Sequence, residues 1–474
     1  MVVMRDSKSR VARRGSSTLP SGTENMNKKI QTIKKILNQS IDFEVNGGKK
    51  LSGTIKTNFS KNGSVGLLCA SLLNSGVTTL HGIARIEEVH RVIEILESIG
   101  VTVKWLDHNT VIITPPKKFI LENINMESAV KTRSVVMLMG PLIHKLSSFS
   151  IPHAHGCSLG KRTIAAHIYA LEELGVKIKT TSKTYDITAK KLKPAEIVMY
   201  ESGDTACENV LTASALIEGV TKVSFASANY MVQEVCFFLE ALGVKIEGIG
   251  TANLIVYGVA EINKDIEYWN SEDPIESMMF ISAGIITDSK LTISRVPIDF
   301  LALELEKLKR MNLKYKVSKI YLSFNGRTKL ADIEIFPSKL KALSDKLHSN
   351  PYPGINIDNL PFFVPIAIRA KGQTMIHDWV YENRAIYLTE LNRLGADITL
   401  ADPHRLYIMG GTPLKAAQVV CPPALRPSMV ILISMLGATG TSILRNVYMI
   451  NRGFENIAER LNSIGADIKI IKGN

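Results

Sequence analysis

Two kinds of helical segment alternate along the chain. Segments 63–73, 134–146, 208–217, 276–286, 359–368 and 427–436 are apolar nearly all round, the pattern of a helix enclosed by protein. Between them run amphipathic stretches such as Val92-Ile-Glu-Ile-Leu-Glu97 and Phe454-Glu-Asn-Ile-Ala-Glu-Arg-Leu461, each with a single apolar stripe. The amphipathic stretches stop at Gly100, Gly175, Gly243, Asn312, Gly395 and Gly465 and run on into short strands. Glycine and asparagine are the residues that adopt a left-handed helix cap cheaply. The apolar segments lead instead through a turn into strands such as Val77-Thr-Thr-Leu80 and Lys290-Leu-Thr-Ile293. The pattern predicts six copies of one unit: strand, buried helix, strand, surface helix, strand pair. Three units close around three buried helices, and two such groups give two similar α/β domains.

Polar residues stand just ahead of the apolar segments: Lys61 and Asn62, Arg133, Thr205, Asp273, Asp358 and Arg426. A buried helix carries such groups only at a cost, whereas its N-terminus faces them into a cleft and favours anions through the helix dipole. The set predicts a binding region for phosphate and carboxylate groups. Capping and ion pairing between domains is the plainer reading of any one of them.

Composition narrows this picture. The chain has 474 residues, more than one core encloses. No apolar run reaches the ~20 residues of a bilayer span. The start lacks a secretory signal, so a cytoplasmic protein is expected. The cysteines, Cys69, Cys157, Cys207, Cys236 and Cys421, are odd in number and widely spaced, which argues against a disulfide framework or a zinc site. The net charge is +13, and about half the excess lies in residues 1–40, rich in Ser, Arg and Lys. Residues 1–42 are expected to be a basic disordered extension. It lacks the aromatic residues that single-strand binders interleave, so nucleic-acid binding is disfavoured. The remaining positive charge suits phosphate or carboxylate substrates. The sequence does not give the oligomeric state.

Several segments carry a more specific resemblance. They are Phe43-Glu-Val-Asn-Gly-Gly-Lys-Lys-Leu-Ser-Gly-Thr-Ile55, the Lys61-Asn62 pair, Thr132-Arg133-Ser134 with Gly140-Pro-Leu142, Gly156-Cys157-Ser158-Leu159-Gly160-Lys161-Arg162 with His167, Tyr381-Glu-Asn-Arg384 and its continuation to Ala396, and Asn451-Arg452-Gly. From about Phe43 to the end the chain resembles the enolpyruvyl transferase family, and within it the branch that acts on UDP-N-acetylglucosamine in bacterial cell-wall synthesis. The reactive-cysteine loop and the last two segments are specific; the shikimate-pathway branch lacks that loop. The resemblance implies an inside-out α/β barrel of three units in each of two domains, 43–60 plus 272–474 and 61–271, with the first strand joining the C-terminal half. It implies transfer of the enolpyruvyl group of phosphoenolpyruvate to the sugar 3-hydroxyl, with no metal and no organic cofactor.

The same resemblance implies residue roles. Asp358 is the general base on the acceptor hydroxyl; from sequence alone it is equally an N-cap of the helix after it. Cys157 is the acid or adduct-forming thiol that fosfomycin alkylates, and a Gly-flanked cysteine beside Lys161 and Arg162 suits a lowered thiol pKa. Lys61, with a catalytic role, and Arg133, Arg162, Arg426 and Arg452 hold the phosphate and carboxylate, groups matched by the guanidinium fork. Asn62 binds the intermediate and sugar, and Arg384 reaches the cleft or its closing loop. His167 orients the loop or is a satisfied structural histidine.

The chain also departs from the family's pattern. The cysteine loop is two residues longer, and Thr163 and Ala165 replace a proline and an aspartate in the stretch that cradles uracil. Gly203-Asp-Thr-Ala-Cys207 puts Asp204 near the expected diphosphate, an unfavourable charge unless the loop turns away. Asn229-Tyr-Met-Val232 replaces a Glu-Pro-Glu segment, and Ala424 stands where an aspartate precedes the active-site arginine. A cell-wall transferase, a transferase using another nucleotide acceptor, and a non-catalytic paralogue are the three readings these departures leave open.

Overall fold

The computed structural model describes residues 41–154, 159 and 163–473. The six enclosed helices form at the predicted places: Lys61–Ala70, Met139–Leu142 after the 3-10 turns Arg133–Leu138, Asp204–Ser214, Pro274–Ile286, Phe363–Arg369 after Leu360–Phe362, and Leu425–Gly437. Helix Pro274–Ile286 shows the local logic. Asp273 caps it by accepting from the Ile275 and Glu276 amides at 2.8 and 3.4 Å, Pro274 occupies the first turn, and every residue is buried. The predicted stops Gly100, Gly175, Gly243, Asn312, Gly395 and Gly465 all have positive φ, from 70° at Asn312 to 104° at Gly243. Helix Tyr230–Leu242 departs from the amphipathic pattern: it is buried along most of its length and packs against Lys61–Ala70.

Six separate sheets cover the helices, and no sheet closes on itself among the described residues. The inside-out barrel is therefore three sheets standing outside three mutually packed helices, twice over. In three units the strands flanking the buried helix pair in parallel, as Glu196–Val198 does with Gly219–Ser224 around Asp204–Ser214. At the crossing between groups the partners are exchanged. Thr54–Lys56, ahead of the first buried helix, pairs with Leu291–Pro297, and Ile266–Trp269, ahead of the fourth, pairs with Thr78–His81. The two crossing segments lie against each other, Ser60 N–H donating to Ser271 C=O at 2.7 Å and Asp273 N–H to Asn58 C=O at 2.8 Å. The first strand, Ile41–Gly47, lies between Gly440–Arg445 and Ile468–Lys472, so both described chain ends share one sheet.

A repeated close approach locks strand to helix. A Cβ on Gly47, Gly258 or Gly410 would lie 2.1, 1.9 or 1.9 Å from a carbonyl oxygen at the end of the neighbouring buried helix. Only glycine lets the backbones meet there.

Candidate active site

Between the two groups lies a cleft of about 650 Å³. The N-terminal ends of enclosed helices from both groups open onto it, which places Lys61, Asn62, Arg133, Asp204, Thr205, Asp358 and Arg426 around one space, together with Arg384 and Arg452. The cause is the one the sequence suggests: an all-apolar helix has nowhere else to carry polar side chains. Cys157 and Arg162 lie outside the described residues; Leu159 and Thr163, on either side of Arg162 in the same segment, line the cleft.

Asp358 is the centre of the charge arrangement. One carboxylate oxygen accepts from Arg426 Nη2 at 3.0 Å and the other lies 3.6 Å from Arg384 Nη1. Burial pushes its pKa up, but Arg426, Arg384 and Lys61 outweigh burial and hold it below the usual aspartate range. It is therefore an ionised carboxylate. The capping role is not seen: the helical turn that follows has Asn359 at its cap without a side-chain bond, and the Asp358 amide itself donates to Asn356 Oδ1 at 2.8 Å. Arg426 is buried, stands 5.5 Å from the Phe454 ring, and shares its field between Asp358 and Asp273. Ala424 is fully buried, so no carboxylate stands at that position.

Arg384 reaches the cleft, as expected, and is bound there to protein groups. It is 1% exposed and grips the equally buried Asp378 with two nitrogens, Nη2 to Oδ1 at 2.8 Å and Nε to Oδ2. Nη2 also donates to the Ile357 carbonyl at 2.8 Å. The guanidinium thus braces the backbone just before Asp358 and lies beneath the carboxylate.

Two further contacts tie the groups across the cleft. Glu88, on the first group, accepts from Arg452 at 2.6 and 2.8 Å and from Ser134 Oγ at 3.2 Å. Burial pushes Glu88 up, but Lys61 and Arg452 hold it below the usual range. Asn229 Oδ1 accepts from Asn356 Nδ2 at 3.3 Å. Arg133 Nη2 donates to the Thr163 carbonyl at 2.9 Å, and Asn62 Nδ2 donates to the buried Tyr230 hydroxyl at 3.0 Å. Neither Glu88 nor Tyr230 was among the sequence candidates. Glu88 belongs to an amphipathic helix of ordinary composition, and nothing local marks it as the partner of a residue 364 positions away.

Asp204 is engaged rather than bare. Its carboxylate accepts from Ser227 Oγ at 2.6 Å and Asn229 Nδ2 at 3.1 Å. Burial, with Asp358 nearby, holds its pKa above the usual range despite those bonds. Glu208, one turn further on, is buried with neither carboxylate oxygen partnered among the described residues, and burial pushes its pKa well up. The described cysteines are buried thiols; burial pushes Cys207 up to about 12 and Cys421 to about 11.

The cleft sets cationic side chains around one ionised carboxylate, and the chain as a whole is similar to known proteins. The family model for EPSP synthase (3-phosphoshikimate 1-carboxyvinyltransferase) matches residues 45–461. The UDP-N-acetylglucosamine 1-carboxyvinyltransferase of Bradyrhizobium diazoefficiens is 32% identical over 429 residues, covering 90% of this chain and 98% of the relative. The protein of that name from Treponema denticola is 31% identical over 430 residues, with 90% and 99% covered. Among solved structures, the enolpyruvyl transferase NikO from Streptomyces tendae superposes with a TM-score of 0.79 at 22% identity, covering 92% of this chain and all of that one. An EPSP synthase from Acinetobacter baumannii does so at 0.70 and 20%, with 91% and 100% covered. At those identities the superpositions speak for the fold alone.

Proposed function

The chain belongs to the enolpyruvyl transferase family, and from that premise we propose that it transfers the enolpyruvyl group of phosphoenolpyruvate to the 3-hydroxyl of UDP-N-acetylglucosamine, releasing phosphate. That reaction is the first committed step of peptidoglycan precursor synthesis and serves cell-wall biogenesis, cell shape and division. The observation that carries the reading is Asp358, ionised between Arg426 and Arg384, in a cleft shared with Lys61, Arg133 and Arg452. The named relatives support the choice of substrates.

Asp358 takes the acceptor hydroxyl's proton as the sugar oxygen bonds to C2 of phosphoenolpyruvate, while C3 gains a proton from Cys157. A carboxylate held this low is a weak base, so proton removal accompanies bond formation. The tetrahedral intermediate carries a carboxylate and a phosphate, and Lys61, Arg133, Arg162, Arg426 and Arg452 stabilise them. Loss of a C3 proton with departure of phosphate gives the enol ether. Asn62 binds sugar and intermediate. Arg384 positions Asp358 through Asp378 and the Ile357 carbonyl. The groups act as domains, 61–271 and 43–60 plus 272–474, hinged at the paired crossing segments. The cytoplasm, where both substrates are made, is the proposed location. Fosfomycin alkylates Cys157, and peptide mapping that finds no adduct there counts against that assignment.

The test is product mass: incubation with both substrates adds one enolpyruvyl group to the sugar nucleotide. A folded protein that leaves the nucleotide unchanged contradicts the reading. Glu201 on the cleft wall favours the second reading, a different nucleotide acceptor, which a screen of acceptors in the same assay detects.

A further inference from the structure

Asn62 is the second residue of the enclosed helix Lys61–Ala70 and lines the cleft. The helix fixes its backbone, while the amide still turns about a terminal torsion that is broad for asparagine. Among the described residues its side chain has one hydrogen-bond partner, the Tyr230 hydroxyl at 3.0 Å. Tyr230 opens helix Tyr230–Leu242, which packs against Lys61–Ala70. It is 5% exposed, and its amide donates to Asn229 Oδ1 at 2.9 Å. Its ring meets the ring of Phe300 nearly edge-on, with centroids 5.9 Å apart at 67°, and Phe300 in turn meets Tyr352 at 5.2 Å. Phe300 and Tyr352 belong to the second group, and Tyr352 lines the cleft. The phenol therefore spans the seam: its ring packs on the second group, and its hydroxyl holds a cleft residue of the first. Segment 229–232 is also one of the places where the chain departs from the family's pattern, and the Glu-Pro-Glu that stands there in the pattern offers no hydroxyl.

We propose that Tyr230 is a positioning residue for the transfer: its hydroxyl holds the Asn62 amide toward the acceptor and the intermediate, and its ring contact with Phe300 sets that hydroxyl by the approach of the opposite group. The proposal rests on the reading of the cleft above and deepens it. Tyr230 is not among the described residues that line the cleft, so it acts on the reaction through Asn62. Misplacing a substrate-holding group by about 1 Å costs up to about a hundredfold in rate. One hydrogen bond that fixes a rotatable amide therefore matters more to the reaction than to the fold.

The test uses the full chain as wild type, Tyr230→Phe, Asn62→Ala and the double variant. Tyr230→Phe keeps the ring on Phe300 and removes the hydroxyl. Its kcat for transfer to UDP-N-acetylglucosamine should fall about tenfold or more, with KM for phosphoenolpyruvate within about twofold of wild type. In the double variant, Tyr230→Phe should add nothing to the loss seen in Asn62→Ala, because its effect passes through Asn62. A second measurement needs no turnover. In the chain labelled with nitrogen-15 asparagine, the NMR signal of the Asn62 side-chain amide is assigned by its absence from Asn62→Ala. That signal should move in Tyr230→Phe and in Phe300→Leu. A Tyr230→Phe rate within about twofold of wild type, or losses that multiply in the double variant, would overturn the proposal. So would an Asn62 amide unmoved in either single variant. A wild-type chain that leaves the sugar nucleotide unchanged overturns the acceptor reading alone, and the amide signal then decides the role of Tyr230.

Discussion

Arg384→Met removes a guanidinium that lies under Asp358 and leaves a side chain of similar length. The buried partner Asp378 has no other side-chain bond to its carboxylate among the described residues. It becomes an unpaired buried charge, a defect of about 3–5 kcal/mol. The Ile357 carbonyl also loses its donor, adding about 1 kcal/mol. Chemical denaturation followed by circular dichroism should show a loss of roughly 4–6 kcal/mol. The double variant Arg384→Met/Asp378→Leu removes the orphaned charge and should recover about half or more of that loss. Activity separates from stability. Both variants take from Asp358 one of its cationic neighbours, leaving Arg426 and Lys61 among the described residues, and unbrace the preceding backbone, so kcat should fall together with kcat/KM in the double variant despite its recovered fold. A loss below about 1 kcal/mol in the single variant, by the same scale, or a fully active double variant, would refute the bracing role.

The other predictions concern the contact between the groups and the repeat. Glu234 is buried, accepts from Tyr268 at 2.8 Å and from Asn325 of the opposite group at 3.1 Å, and is pushed up from 4.5 to about 7, first by burial and further by Glu272. A raised carboxyl pKa gives stability that is complete below the unfolded value and lost as pH rises through the folded one. Wild-type stability should therefore fall by roughly 3 kcal/mol between about pH 4.5 and 7 from this group, and Glu234→Gln should flatten that slope; an unchanged slope counts against it. Gly410→Ala sets a Cβ 1.9 Å from the Ala370 oxygen and should cost roughly 3 kcal/mol, lowering Tm by about 5–10 °C. An unshifted Tm would mean that strand and helix have room to separate there.

The repeat was legible because it rests on local signals. Six helix stops need a left-handed residue, and Gly100 through Gly465 supply one each. Six helices with apolar residues on every face have to be enclosed. The gathering of Lys61, Arg133, Asp358 and Arg426 was legible for the same reason. Long-range pairing was not. The Glu88–Arg452 and Arg384–Asp378 contacts depend on how groups and loops meet, and a buried arginine reads in sequence like an exposed one. The concern over Asp204 dissolved through Ser227 and Asn229, more than twenty residues further on, which no local pattern relates to it.

The most direct test of the central claim is phosphate release from phosphoenolpyruvate, measured with and without UDP-N-acetylglucosamine, for wild type and Asp358→Asn. The account predicts release that requires the sugar nucleotide and falls by about two to four orders of magnitude in the variant, whose fold is preserved. Release independent of the sugar nucleotide, or a variant as fast as wild type, would contradict it.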